Sequence, residues 1–332
     1  MNRLMVVCAL IVLVVAPSAT AQVDVATATL KGAITDQAGA FVPGATVTAI
    51  STARGVSKTT LSDSSGNYQI PLLQPGKYDV KIEAAGFAGY SADDLTLTIG
   101  QVAVLDAKLE VGTVTTQVQV SSDSLLVETE RTQQSNTIEQ RQIAALPNIS
   151  RSFTDYVFTL PGVADSSVAF TQNAARTLRN TPSSNISIGG GSGRGNYVTI
   201  DGGENESGSG SLRIRNISVE AIQEFQVNRL GFNAEYGFTA GTAVNVITKS
   251  GTNDLQGNAY LFYRSHKTSA RNPLFFGSDK PYEQYIFPGI NLGGPIKKNR
   301  SFFFVSYEGL KQDEALIRSY TSNTALLRAT AA

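Results

Sequence analysis

Residues 219–264 read VEAIQEFQVNRLGFNAEYGFTAGTAVNVITKSGTNDLQGNAYLFYR. Up to about residue 250 the pattern is that of a compact, glycine-punctuated α/β domain, ending in the short apolar run 243–248. From Asn253 the pattern changes to a long alternating strand, with Tyr260, Phe262 and Tyr263 at its end and no linker before it. A soluble domain that runs directly into such a strand decides how the rest of the chain is read.

Downstream, the segment 284–296 carries Ile286, Phe287 and Ile290. The segment 301–308 alternates, with Phe303, Val305 and Tyr307 on one face and Phe302, Phe304, Ser306 and Glu308 on the other. Strands of roughly ten residues with aromatic ends fit transmembrane β-strands. The first of these two faces is expected toward lipid and the second, which carries the charge, toward the lumen. Upstream, 137–146 reads as an amphipathic helix stopped by Pro147, and 153–160 as a second short helix. Strands are expected at 186–188, 197–202, 225–227 and 243–248, with a short helix at 217–223.

Several of these segments resemble TonB-dependent outer-membrane receptors, most of all their Oar-like branch. The matching residues are Glu235-Tyr236-Gly237, the run 245–253 (NVITKSGTN) and Gly257-Asn258 at the junction. Leu146-Pro147, Arg151, Pro161-Gly162-Val163 and the Ile200-Asp201-Gly202 turn match in the preceding domain, and 293–304 (GGPIKKNRSFFF) matches a strand–turn–strand near the start of the barrel. The resemblance implies a plug over 127–252 and the first strands of an antiparallel transmembrane β-barrel over 253–332. The basic turn at 297–300 is short and is assigned to the periplasmic side. A closed barrel of this kind needs about twenty-two strands, and three or four fit before Ala332, so the barrel is expected to be incomplete in this chain.

Residues 22–111 read as a small β-sandwich. Turn signals at 36–39, 63–67 and 74–76 separate period-2 strands. Gly32, Asp36, Gly39, Pro43-Gly44-Ala45, Val47, Gly66, Tyr68, Pro75-Gly76, Tyr78 and Gly86-Phe87 resemble the carboxypeptidase regulatory-like, transthyretin-like domain. The glycines suit turns that need positive φ, and the tyrosines offer an apolar body with a polar tip. Such a domain is read as a spacer rather than a sugar site. The fold class is therefore mainly β: a transthyretin-like sandwich, an α+β plug, and the opening of a barrel.

Between sandwich and plug, 112–126 is a connector. Its alternating residues Gln117, Val118, Gln119, Val120 and Ser121 are the best match to the TonB box. In the family this segment pairs with the periplasmic protein TonB, which works with ExbB and ExbD; the physical mode is strand addition. Two glycine-rich stretches of the plug are the loops expected to face an unidentified extracellular ligand. One is Gly189, Gly190, Gly191, Ser192, Gly193, Arg194 and Gly195. The other is Gly202, Gly203, Glu204, Asn205 and Glu206.

The N-terminus reads as a secretory signal over 1–21. Arg3 supplies the basic residue, 4–15 an apolar run too short to span a bilayer, and Ala19-Thr20-Ala21 a cleavage site between Ala21 and Gln22. Cys8 is the one cysteine and lies in that signal. With 27 basic and 27 acidic residues, charge gives no reason to propose nucleic acid as a partner. Beyond the signal no apolar run is long enough for a membrane helix, so any span must be a barrel, and outer-membrane lipid is the expected surround.

The residues for catalysis are missing from the pattern. His266 has no second histidine for zinc or for a nucleophile triad. The 189–195 run lacks the Gly-Lys-Ser/Thr of a phosphate loop. Asp201, Glu204 and Glu206 are oxygen donors without an EF-hand spacing, and a solvated loop is the better reading. No catalytic, cofactor or metal residue is assigned. The reading is the N-terminal part of an outer-membrane receptor that imports an unidentified ligand. The rival is a secreted or surface carbohydrate-binding or adhesion protein built of β-modules.

Overall fold

A computed structural model describes residues 26–112, 117–121, 134–146, 148, 151–165, 186–188, 196–205, 217–230, 239, 241–270, 280 and 282–314. The signal segment, Gly189–Gly195 and Glu206 lie outside them.

The first sheet of the sandwich contains β1 (Ala28–Asp36), β4 (Asn67–Leu73), β7 (Val102–Val104) and β8 (Ala107–Leu109), with β1 central. The second contains β2 (Thr46–Ser51), β3 (Ser57–Leu61), β5 (Gly76–Glu83), β6 (Gly89–Leu97) and β9 (Gln117–Ser121), in the order β3-β2-β5-β6-β9. Alternation places one face of each strand inside: Val47 and Ala49 on β2, and Tyr78, Val80 and Ile82 on β5, all buried in one cluster with Leu30, Ile34 and Leu95. Burying such side chains is the main favourable term for a domain of this size. The tyrosine tips find partners as expected. Tyr68 Oη donates to the Leu105 carbonyl at 2.7 Å and Tyr78 Oη to the Gln74 carbonyl at 2.8 Å. Burial pushes the Tyr68 phenol far above its usual range, so it stays a donor.

The region expected to be the plug is built on a five-stranded sheet. Its strands are β10 (Gln134–Glu139), β13 (Tyr197–Ile200), β14 (Gly203–Glu204), β15 (Ile222–Leu230) and β16 (Ala243–Thr248), in the order β10-β15-β16-β13-β14. β13 runs parallel to β16, and the other pairs are antiparallel. β11 (Val163–Asp165) and β12 (Ile186–Ile188) form a separate pair. One face packs into a core of Phe153, Tyr156, Val157, Val198, Phe225, Val227, Val244 and Val246. The Phe153 and Phe225 rings meet edge-on at 5.8 Å.

Two helix expectations are corrected. Thr137–Glu139 belongs to β10, and the helix α1 covers only Gln140–Ala145. The β10 stretch pairs with β15 from Gln134 to Glu139; that ladder outweighs a local helical period sharing Ile138 and Ile143. Glu139 caps α1 in a reciprocal pairing with Gln142. At 217–223 the helix shrinks to one 3-10 turn, Val219–Ala221, begun by Ser218, and Ile222 onward is strand. The second helix, α2, is Thr154–Val157.

The remaining strands are β17 (Gln256–Ser265), β18 (Glu283–Lys297), β19 (Ser301–Glu308) and β20 (Lys311–Glu314). β18 lies between β17 and β19 in their sheet, and β20 also pairs with β18. β20 continues β19 along the same neighbour after a break at Gly309-Leu310. There Gly309 N–H donates to the carbonyl of Pro288 at 2.8 Å. Proline has no N–H to return. The chain divides into two units, residues 1–255 with 293–304, and residues 256–292 with 305–332.

Candidate functional site

The chain leaves β16 at Thr248 and enters β17 at Gln256. The intervening residues make a tightly packed junction. A Cβ on Gly251 would lie 2.3 Å from the Phe303 carbonyl oxygen and 2.6 Å from that of Gly294, so only glycine lets these backbones approach. Asn253 reads the β18–β19 turn: its Oδ1 accepts from Asn299 N–H at 2.8 Å and its Nδ2 donates to Asn299 Oδ1 at 2.7 Å. Asn299 sits at φ 60°, a conformation asparagine tolerates better than most residues. Asn253 N–H donates to the Ala53 carbonyl of the sandwich at 3.0 Å. Within the family-like run 245–253, Gly251 and Asn253 thus clamp the chain to the β18–β19 turn.

The Ile200-Asp201-Gly202 turn has a similar role. Asp201, at φ 50°, accepts from Thr248 N–H at 2.9 Å and from Thr248 Oγ1 at 2.7 Å. Its carboxylate pins the end of β16 rather than opening onto a ligand. Gly202 leads into the β13–β14 hairpin, which Asn205 N–H closes on the Val198 carbonyl at 2.8 Å. Gly203 and Glu204 are exposed and Asn205 is buried. No group of metal-ligating side chains forms among the described residues. His266 lies in a turn beside Tyr282, with ring centroids 5.0 Å apart.

Gln117–Ser121 forms β9, the edge strand of the second sandwich sheet. It runs parallel to β6 from Gly89↔Gln117 to Asp93↔Ser121. This pairing was not legible in the sequence, since alternation gives no partner.

Sequence reasoning also missed the polar face of β15. Glu224, Gln226 and Asn228 alternate with core residues and are themselves buried. Glu224 Oε1 accepts from the Ile99 N–H of the sandwich at 2.6 Å, and Gln226 Nε2 donates to the Ile99 carbonyl at 3.0 Å. The signal was present as three polar residues spaced by two in EFQVN, but it reads equally as a solvated strand face. Burial pushes the Glu224 carboxyl from 4.5 up to about 7; the Ile99 N–H pulls against that rise and Glu139, across on β10, adds to it. A second buried charge group joins Arg151 and Glu220 at 3.4 Å, with Arg151 nearly inaccessible. Burial lowers the Lys249 amine, and Glu220 opposes that shift.

On the lipid-candidate strands, side chains sort by face. Arg264 pairs with both Glu283 oxygens at 3.0 Å and lies over the Tyr285 ring, 5.0 Å from its centroid. Tyr260 Oη donates to Glu308 at 2.9 Å, and Asn291 Nδ2 to Asn258 Oδ1 at 3.0 Å. The alternate positions Leu261, Tyr263, Ile290, Leu292, Ile296, Val305 and Tyr307 are exposed, and on the polar face Phe262 is exposed as well. An apolar row outside and paired polar groups inside is the alternation of a barrel wall. No helix among the described residues is long and apolar enough to cross a membrane, which says nothing of strands.

The Glu224 site carries a pH prediction. The folded form holds the proton where an unfolded glutamate, at 4.5, has lost it. The resulting stabilisation is complete below about 4.5 and is lost as pH rises through about 7. Glu224→Gln is expected to remove this dependence and to be more stable than the parent at pH 8 by about 2–3 kcal/mol, with little difference at pH 4.5. Thermal melts of both proteins across pH 4.5–8 check it; parallel pH profiles would show that Glu224 does not titrate in this window.

Comparison with known proteins agrees with this organisation. Residues 29–110 match the carboxypeptidase regulatory-like domain family, and residues 247–331 match an outer membrane beta barrel domain family. The TonB-dependent transporter Oar of Myxococcus xanthus is 23% identical over 264 residues, covering 75% of this chain and 23% of that protein. The chain therefore spans about a quarter of that relative's length. Among solved structures, the siderophore receptor PirA of Acinetobacter baumannii is similar at 22% identity, TM-score 0.39, over 54% of this chain and 24% of that one. The ferric-catecholate import receptor Fiu of E. coli is similar at 16% identity, TM-score 0.32, over 57% and 28%. The chain thus carries a carboxypeptidase regulatory-like domain and, after it, an outer membrane β-barrel domain.

Proposed function

We propose that this chain is the N-terminal part of a TonB-dependent outer-membrane transporter, with residues 22–111 in the periplasm and 127–252 as the plug of the barrel that begins at 253. The observation that carries the reading is the clamp of Asn253 on Asn299. It ties the last plug strand, the sandwich and the β18–β19 hairpin together within a few residues. An adhesion or carbohydrate-binding module would gain nothing from the exposed apolar row of β17–β19, which suits outer-membrane lipid.

In this reading the protein is a carrier and not an enzyme. An extracellular ligand binds above the plug, near the loops 189–195 and 202–206. TonB, energised with ExbB and ExbD, takes Gln117–Ser121 as an added strand and pulls. That segment pairs with β6 on one side and is the edge of its sheet, so a strand from TonB can add to its other side. Such an addition keeps the cost of engagement low, because the β6 pairing need not be broken.

Two outcomes are expected. In the full-length protein, Val305→Arg places a cation on the lipid side, at a cost of about 2–4 kcal/mol at the bilayer midplane, and should lower the folded yield in outer-membrane fractions. Ser306→Arg, on the other face, should be tolerated better; equal yields would remove β19 from the membrane wall. For the box, Val118→Pro should weaken binding of the purified periplasmic domain of TonB at least tenfold, because proline removes a donor from the added strand. Unchanged binding would place the box elsewhere in the chain.

A further inference from the structure

The turn Thr98–Gln101 of the sandwich is shaped before it meets the plug. Gln101 Oε1 accepts from Thr98 N–H at 2.8 Å and from Thr98 Oγ1 at 3.2 Å. Gly100 N–H donates to the Thr27 carbonyl at 3.0 Å, and Thr29 N–H to that of Gln101 at 2.8 Å. Gly100 has φ +65°, and a Cβ there would lie 3.0 Å from Gln226 Oε1. The turn therefore presents the backbone of Ile99 outward in one conformation, and at the next residue the left-handed backbone favours glycine while a Cβ would have to push Gln226 Oε1 aside.

The plug receives it at three points. Glu224 takes the Ile99 N–H and Gln226 the Ile99 carbonyl, from adjacent same-face positions of β15. The Ile99 side chain is fully buried in a small apolar cluster with Ala26 and Ile247 of β16. A bulge assists. β15 has an irregular register between Ile222 and Glu224 against β16. The extra residue, Gln223, donates through Nε2 to the Pro75 carbonyl of the sandwich at 3.0 Å. The bulge also lets Ile222 and Phe225 both enter the plug core while Glu224 faces the sandwich. Two side chains reading both backbone groups of one residue do for Ile99 what a neighbouring strand would do, and a buried carboxyl and amide are retained for it.

We propose that this grip is a latch: while Ile99 is seated, the sandwich holds β15 in the plug sheet, and displacement of β15 unseats the sandwich. The coupling is reciprocal, since whatever favours the seated turn must equally favour the ordered strand. The sandwich is then a sensor of the plug's state and not a spacer. Within its own sheet β15 is held by β10, which pairs with it over six residues; the latch itself does not rest on the proposed box.

Amide hydrogen exchange on the full-length receptor tests the latch, with no ligand or TonB needed. In the parent the Ile99 amide should exchange at least about 100-fold more slowly than an exposed turn amide. Gly100→Val and the pair Glu224→Ala with Gln226→Ala should each abolish that protection. They should also speed exchange of the Phe225 and Val227 amides of β15 about tenfold or more. The amides of Val80 and Ile82 in β5 should not change, which separates unlatching from unfolding of the sandwich. Glu224→Gln keeps an oxygen acceptor and should keep Ile99 protected. The latch is overturned if the parent Ile99 amide exchanges like an exposed turn, or if the variants free Ile99 and leave β15 unchanged.

Discussion

The structure depends on how the chain passes from the five-stranded sheet into the strands of the β-barrel domain in seven residues without stranding a polar group. Backbone donors and acceptors cannot be left open at the edge of a bilayer. Thr248 is held by Asp201, Gly251 lies against the backbone of Gly294 and Phe303, and Asn253 exchanges two hydrogen bonds with Asn299. Each residue here answers to geometry: a carboxylate with two acceptors, a residue with no Cβ, and an amide that both donates and accepts. The same amide segment reaches the sandwich at Ala53. Plug, hairpin and sandwich therefore share one anchoring point.

The polar face of β15 shows how two domains can be joined without a large apolar interface. A buried carboxyl is expensive to hold ionised, and the Glu224 proton is retained to about pH 7 because of it. Its use is positional. Glu224 and Gln226 can satisfy the backbone of Ile99 only when the turn is seated, so the contact is specific in register as well as in energy. A purely apolar contact would tolerate sliding along the strand.

Much of this was legible from local pattern. The segment 301–308 was read to the residue as β19, and 243–248 as β16, because alternation and flanking turns leave one interpretation. The tyrosine tips and the positive-φ turn glycines of the sandwich followed from side-chain chemistry alone. The errors lie where a partner far along the chain decides. Thr137–Glu139 reads as helix until β15 pairs with it; Gln117–Ser121 reads as a strand, and what the sequence does not show is its neighbour, β6. The Ile99 seat joins residues 125 positions apart through Glu224, and no periodicity encodes such a meeting. At 202–206 the described part is a tight hairpin closed on Val198, a geometry that glycine-rich composition alone does not reveal.

The central claim is topological: the sandwich faces the periplasm, and the chain enters the outer membrane at the Asn253 clamp. Protease protection in cells tests it most directly, using the full-length protein with an epitope inserted in the exposed 37–39 turn of the sandwich. The epitope should resist external protease in intact cells and be lost once the outer membrane is permeabilised. Digestion of the epitope in intact cells, with the outer membrane sound, would place the sandwich outside and contradict the account.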